Sequence, residues 1–253
     1  MHELAGKISY RRQGSGEPLV LIHGLGATKL VWKPQLEALS REREVIALDM
    51  PGFGESPSLA GHTPPTAAAL GAAITEFLLG LGFERPHVAG NSLGGWVALE
   101  MAKAGAAASA CLISPAGLWQ TPLGPRSVNT RGLAKLGKPL VMLFARREST
   151  RLSMLRTVVG RPERVPVEDA LQMIRDWIDA PGYADSNEAM RRHVFEDPGH
   201  VRVPVTIAWG ELDRLVAPPK EHRRPRGTRF IVLDGCGHTP NWDDPELITR
   251  VLL

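Results

Sequence analysis

The stretch Gly90-Asn91-Ser92-Leu93-Gly94-Gly95 follows the apolar run His87-Val88-Ala89 and precedes Trp96-Val97-Ala98-Leu99-Glu100-Met101-Ala102. The order reads as a strand, a tight turn and a helix. A G-x-S-x-G turn in that context holds its serine in a strained conformation with the hydroxyl exposed at the end of a sheet. A Cβ at Gly90 or Gly94 would crowd the neighbouring strand and helix. The first amides of the following helix would point at the space above Ser92, where an oxyanion could sit.

Outward from that turn, short apolar runs alternate with amphipathic stretches. Leu19-Val20-Leu21-Ile22 and Val45-Ile46-Ala47-Leu48 read as strands buried on both faces. Helix-like segments follow them near residues 33–39 and 66–79. Further strands are expected at Ala110-Cys111-Leu112-Ile113, Val205-Thr206-Ile207-Ala208-Trp209 and Phe230-Ile231-Val232-Leu233, with a last helix over 245–253. This alternation predicts an α/β fold, a mostly parallel sheet flanked by helices. From 118 to about 201 the strand signal stops and helical patterns replace it. Over 167–179, Ala170, Leu171, Ile174, Trp177 and Ile178 share one face. The expected organisation is a core of residues 1–117 and 201–253, interrupted by a helical cap at 118–200.

Composition narrows the function classes. Of 253 residues, 43% are hydrophobic and 23% charged, which suits an ordinary globular core. No apolar run approaches the roughly 20 residues that span a bilayer, so no stable membrane insertion is expected. Residues 1–7 lack an apolar signal core, and the expected location is the cytoplasm. Cys111 and Cys236 stand in strand-like contexts and read as free thiols rather than a disulfide framework. The formal charge of +3 hides a net +8 between Arg126 and Arg164. A basic insertion can attract an anionic substrate, a lipid surface or nucleic acid; its simplest reading is a set of solvated helix faces. Its basic residues are interleaved with aliphatic side chains rather than stacking aromatics, so no nucleic-acid partner is expected. No metal-ligand cluster or phosphate loop is present, and no cofactor is expected.

A serine hydroxyl needs an adjacent base to act as a nucleophile. His238, in Gly235-Cys236-Gly237-His238, lies after the last strand and before the last helix, on a loop whose glycines let it fold over the sheet edge. His23 sits in a glycine turn and reads as a backbone support. The base in turn needs a carboxylate to hold its tautomer. Asp213 stands just beyond the strand ending at Trp209, with Glu211 as a competitor; Asp243 and Asp244 read as caps of the final helix. The oxyanion donors expected are the amides of Leu93 and Leu25, with Gly24 and Gly26 as alternatives to the latter. Trp32 and Trp119 follow strand ends and are the expected pocket liners, while the glycine-rich loop from Asp49 to Ser56 reads as structural support.

His23-Gly24-Leu25-Gly26, Asp49-Met50-Pro51-Gly52-Phe53-Gly54-Glu55-Ser56, Gly90 to Gly95, Gly210-Glu211-Leu212-Asp213 and Gly237-His238 together resemble the α/β-hydrolase superfamily. The resemblance covers nearly everything outside the cap, and the chain order Ser92, Asp213, His238 is that of its triad. It implies a cap-bearing serine hydrolase, and the leading expectation is cleavage of a small-molecule carboxylic ester through an acyl-enzyme. The dehalogenase and epoxide hydrolase branches place an aspartate where this chain has Ser92. Asn91 before the nucleophile and Trp242 after His238 resemble the C–C bond hydrolases of aromatic ring-fission acids, although Thr239 stands where that group often has tryptophan. A ligand sensor that kept the triad is the third class. The fold hosts many chemistries, so the substrate is a matter for the site and its insertion.

Overall fold

The computed structural model describes residues 8–61, 63–124 and 130–253. The leader reading at residues 1–7 and the first cation of the basic stretch, Arg126, lie outside the described residues.

Seven strands make one sheet: β1 (Tyr10–Gln13), β2 (Pro18–Ile22), β3 (Glu44–Leu48), β4 (His87–Asn91), β5 (Ser109–Ile113), β6 (Val205–Gly210) and β7 (Arg229–Leu233). The spatial order is β1-β3-β2-β4-β5-β6-β7. β1 runs antiparallel to β3, and every other pair is parallel. β2 shows why these runs are strands. Val20 and Ile22 enter one buried cluster and Leu19 and Leu21 another, so the period of two feeds both faces of the sheet. Each such side chain contributes about 1.5–3 kcal/mol on burial.

Helices cover both faces. α1 (Lys33–Leu39) lies with the second cluster, through Leu36 and Leu39; α2 (Ala67–Gly80) and α3 (Leu93–Lys103) lie with the first, through Leu70, Ile74, Val97 and Met101. Between β5 and β6 come α4 (Thr130–Leu136), α5 (Lys138–Ala145), α6 (Glu148–Leu155), α7 (Val167–Asp179) and α8 (Tyr183–Arg192). Among the described residues this insertion contains no strand. α7 buries Ala170, Leu171, Ile174 and Ile178, with Glu168 and Asp169 in its first turn, where they complement the helix dipole. Its last carbonyls are met by Arg131, which donates to Trp177 O (2.8 Å), Ile178 O (2.9 Å) and Ala180 O. α9 (Pro245–Leu252) closes the chain, its N-cap Asp244 accepting the Leu247 N–H at 2.9 Å.

The strand absent from the sequence reading is β1. All four of its residues are exposed, so it carries no apolar alternation to see. Its stability comes from backbone pairing with β3, an Arg12–Glu44 hydrogen bond of 2.7 Å and the edge-on packing of Tyr10 against Phe77. Two arginines on that outer strand also oppose edge-to-edge association.

Candidate active site

β4 lies between β2 and β5, and its end delivers Ser92 in a left-handed conformation, φ 55° and ψ −117°. A non-glycine residue held there costs on the order of 1–3 kcal/mol, supplied by the packing around it. Glycine makes the turn possible. A Cβ on Gly90 would stand 2.2 Å from Gly94 O, and one on Gly94 would stand 2.3 Å from Ile22 O and His23 O. α3 therefore begins hard against the ends of two strands. Ser92 is its N-cap, yet the side chain makes no capping bond. Leu93 opens the helix, where an N–H has no intrahelical acceptor.

His238 and Asp213, the expected base and acid, meet beyond the ends of the adjacent strands β7 and β6. His238 Nδ1 lies 2.7 Å from Asp213 Oδ2, and the two side chains are 5% and 1% exposed. Asp213 Oδ1 accepts the N–H groups of Leu215 (2.8 Å) and Val216 (3.0 Å), which fixes the carboxylate plane. Burial opposes its charge, but the hydrogen bond and charge of His238 and these two amides outweigh it and hold the carboxyl below its usual range. With Nδ1–H spent on Asp213, the lone pair of Nε2 is left free to take a proton. The competitor Glu211 faces elsewhere and accepts the Gly235 N–H at 2.8 Å.

Ser92 is tied to this pair through its chain neighbour. Asn91 Nδ2 donates to His238 O at 2.7 Å and to Ile113 O at 3.1 Å, and its Oδ1 accepts from Thr239 Oγ1 at 3.2 Å. Among the described residues no hydrogen bond joins Ser92 Oγ to His238; such bonds are often long without substrate and tighten when it binds.

Asp243 does not cap α9. It is fully buried and accepts three backbone N–H groups: Gly237 (2.7 Å), Gly160 (3.0 Å) and Arg161 (2.6 Å). The expectation that both aspartates cap the helix is corrected: Asp244 takes that role, and Asp243 joins the loop that carries His238 to the insertion. One N-cap position cannot use two adjacent carboxylates, which is the signal the sequence offered.

The turn after β2 is where the second oxyanion amide is expected. Gly24 lies beside the elbow, a Cβ there being 3.2 Å from Ser92 Cβ, and Leu25 follows it. His23 is fully buried, its Nδ1–H donating to Gly24 O (2.8 Å) and its Nε2 accepting the Met50 N–H (3.0 Å). Burial lowers its pKa, and with both nitrogens occupied it holds backbone. A buried Lys29–Asp49 ion pair, extended to the exposed Glu55, anchors the same turn. Asp49 accepts the Lys29 N–H (2.7 Å), Lys29 Nζ (2.7 Å) and the Glu55 N–H (3.1 Å), and Lys29 Nζ also reaches Glu55 Oε2 (2.8 Å) and Ser9 Oγ (2.8 Å). Desolvation opposes the Lys29 charge, but its two carboxylate partners outweigh it and raise its pKa. Removing one partner strands a buried charge, so Lys29→Met is expected to destabilise the fold by about 3–5 kcal/mol. Lys29→Met/Asp49→Asn should recover part of that loss, because the amide carries no charge and keeps an oxygen for the backbone N–H at position 29. Urea midpoints measure both, and an unchanged midpoint for the single variant would contradict the account.

The insertion roofs this turn. Thr28 Oγ1 donates to Asp176 Oδ2 at 2.8 Å, and Gln172 Nε2 to Asp176 Oδ1 at 2.6 Å. Burial raises the pKa of Asp176. Trp177 and Tyr183 atoms stand 3.0 Å from the place a Cβ on Gly26 would take.

Trp32 is a correction. It is fully buried in the second cluster with Val31, Leu36 and Leu39, so it packs the core there and offers no face to an open cleft. Trp119 is half-buried; it meets Trp96 edge-on and donates to His193 O at 3.0 Å. An open cleft of about 510 Å³ between residues 51–65 and α8 is lined by Gly52, Ser58, Gly182 and Arg192, and Ser92 and His238 are not on its walls. Both cysteines are free, and desolvation pushes each thiol up to about 12, which leaves them unreactive. Among the described residues no cluster could hold a metal ion, and no helix is long and apolar enough to cross a membrane.

The fold and this constellation define an α/β hydrolase. Residues 19–251 match the alpha/beta hydrolase family, and the chain belongs to it. It is 30% identical over 200 residues to the epoxide hydrolase EphH of Mycobacterium tuberculosis, covering 74% of this chain and 93% of the relative. It is 28% identical over 258 residues to the pimeloyl-[acyl-carrier protein] methyl ester esterase of Aeromonas hydrophila subsp. hydrophila, covering 97% of each. A thermophilic esterase from Thermogutta terrifontis superposes with a TM-score of 0.72 at 26% identity, over 97% of this chain and 91% of that one. The protein is a hydrolase of this family.

Proposed function

We propose that the protein hydrolyses neutral carboxylic esters. The observation that carries this reading is the Asp213–His238 pair, with its free Nε2, on a loop bonded to the residue before a strained serine. Ser92 Oγ attacks the acyl carbon and His238 Nε2 takes its proton. The N–H groups of Leu93 and Leu25 hold the oxyanion. The carbonyl re-forms, the alcohol leaves with the proton from His238, and Ser92 carries the acyl group. Water then attacks, giving a proton to His238; the acid leaves and Ser92 is restored. Beyond the ester and one water, these steps use only groups of the chain. Similarity to two esterases supports the ester bond as substrate. The epoxide hydrolase relative does not redirect the reading, because the elbow here carries a serine. Two free thiols suit the reducing cytoplasm, where we place the protein.

A neutral substrate is favoured by how the insertion uses its charges. Arg131, Arg151 and Arg164 donate to backbone carbonyls, and Arg161 lies against Gly235. The group that the insertion itself sends to the roofed turn, through Thr28, is an acid, Asp176. Trp242, the feature shared with C–C bond hydrolases, is buried in the second cluster. Exposed arginines are screened by solvent, so Arg146→Ala, Arg147→Ala and Arg156→Ala are each expected to change kcat/KM for a p-nitrophenyl ester by less than about fivefold. The same variants assayed with a ring-fission dienoate test the rival. A high dienoate kcat/KM that falls by about 30-fold or more on losing one insertion arginine would move the substrate to an anionic diketone acid. Binding without repeated turnover on any ester would point to a sensor.

A further inference from the structure

α4 and α5 carry a row of large apolar side chains turned to solvent. Leu133, Leu136, Leu140 and Leu143 are 70%, 86%, 61% and 60% exposed. Their spacing is helical across both elements. Gly137 joins the two, its N–H donating to Leu133 O and its carbonyl accepting the Val141 N–H, each at 3.0 Å. The opposite side of these helices already meets the core, where Ala134, Val141 and Met142 pack against the cluster that holds Ala145. A helix resting on a core needs one apolar stripe. Here there are two, and the outer one faces water.

Cations frame the outer stripe. Lys135, Arg146 and Arg147 are exposed, and Arg147 lies 5.3 Å over the Phe144 ring. Lys135 and Arg146 have no ion-pair partner among the described residues. Between residues 131 and 162 the single acid is Glu148. Scattered exposed leucines are ordinary, but a continuous row rimmed by one sign of charge marks a contact surface.

We propose that this face docks onto an anionic lipid–water interface. The four leucines enter the boundary between headgroups and acyl chains, while Lys135 and Arg146 meet anionic headgroups. The contact is peripheral. A second copy of the chain is the poorer occupant, because a two-fold contact would set this basic rim against itself. Nothing in the proposal depends on the ester reading, since α4 and α5 contain none of Ser92, Asp213 and His238.

Co-sedimentation with vesicles tests it, using phosphatidylcholine alone and phosphatidylcholine mixed with phosphatidylglycerol. The wild-type protein should partition preferentially onto the mixed vesicles, and added salt should release it. Leu136→Ser/Leu140→Ser is expected to weaken partition by about tenfold or more. Lys135→Glu/Arg146→Glu should weaken it by at least about fivefold per residue. Both variants keep their thermal midpoint and their rate on a soluble ester, because they alter exposed side chains away from the site. The proposal is overturned by absent binding, by equal binding to both vesicle types, or by binding that survives the leucine changes. A stripe-dependent dimer, or stripe-dependent capture of an acidic protein, without vesicle binding would overturn it too and reassign the face.

Discussion

Ser92→Ala is expected to lower kcat for ester hydrolysis by several orders of magnitude, roughly 10⁶-fold by comparison with the loss of a triad serine elsewhere. The alanine inherits the same left-handed backbone, so the strain at φ 55° is unchanged and the fold should keep its stability. What disappears is the hydroxyl, which no capping bond consumes. Oxyanion donors and substrate binding survive, so a residual rate above water is expected rather than none. A fluorophosphonate should add its mass to the wild-type chain and leave Ser92→Ala unmodified. A folded variant that retained more than about a tenth of wild-type kcat would remove Ser92 from the mechanism, whatever its position in the elbow.

The second large effect is expected at Asp213. In Asp213→Asn the side-chain oxygen is claimed by the Leu215 and Val216 amides, which already bind Oδ1. The new NH₂ group then faces His238 Nδ1 and makes that nitrogen an acceptor. The proton moves to Nε2, and the imidazole can no longer take one from Ser92. A tautomer-inverting change of this kind costs on the order of 10⁴-fold in kcat. Glu211→Gln should do far less, because Glu211 supports only the Gly235 amide. If Glu211→Gln were the more damaging variant, the acid would be misassigned.

Stability carries an independent signature of the same carboxylate. Its folded-state pKa lies below the unfolded value, so its contribution is present above the unfolded pKa and is lost as pH falls through the folded one. The stability gap between wild type and Asp213→Asn should therefore be open at neutral pH and close in acid. Denaturation midpoints across that range measure it.

The turns that carry Ser92, Asp213 and His238 were legible because each is marked by glycine at the end of an apolar run. Gly90 and Gly94 announce a close approach, and the structure puts backbone oxygens where their Cβ atoms would be. Parallel strands buried on both faces leave continuous apolar runs, and β2 and β3 are of that kind. β1 was illegible for the opposite reason: an exposed edge strand is specified by backbone pairing, which leaves no hydrophobic pattern. Trp32 misled because proximity in sequence to a catalytic turn says nothing about which side of the sheet a ring will face. Asn91 and Asp243 were underread because their partners are main-chain atoms far away in sequence, His238 O and the amides of residues 160 and 161.

The Asp243 joint bears on how this fold exchanges roofs. Two of its three partners are main-chain N–H groups of the insertion, so the carboxylate reads a backbone shape and is nearly blind to side chains. At position 160 a Cβ would stand 2.7 Å from Gly237 N, so glycine is demanded there, whereas position 161 needs only a residue that is not proline. A foreign insertion that presents a glycine and one free amide at those two positions could be grafted between β5 and β6 with the base loop still moored, which makes the roof a replaceable part and the joint its socket.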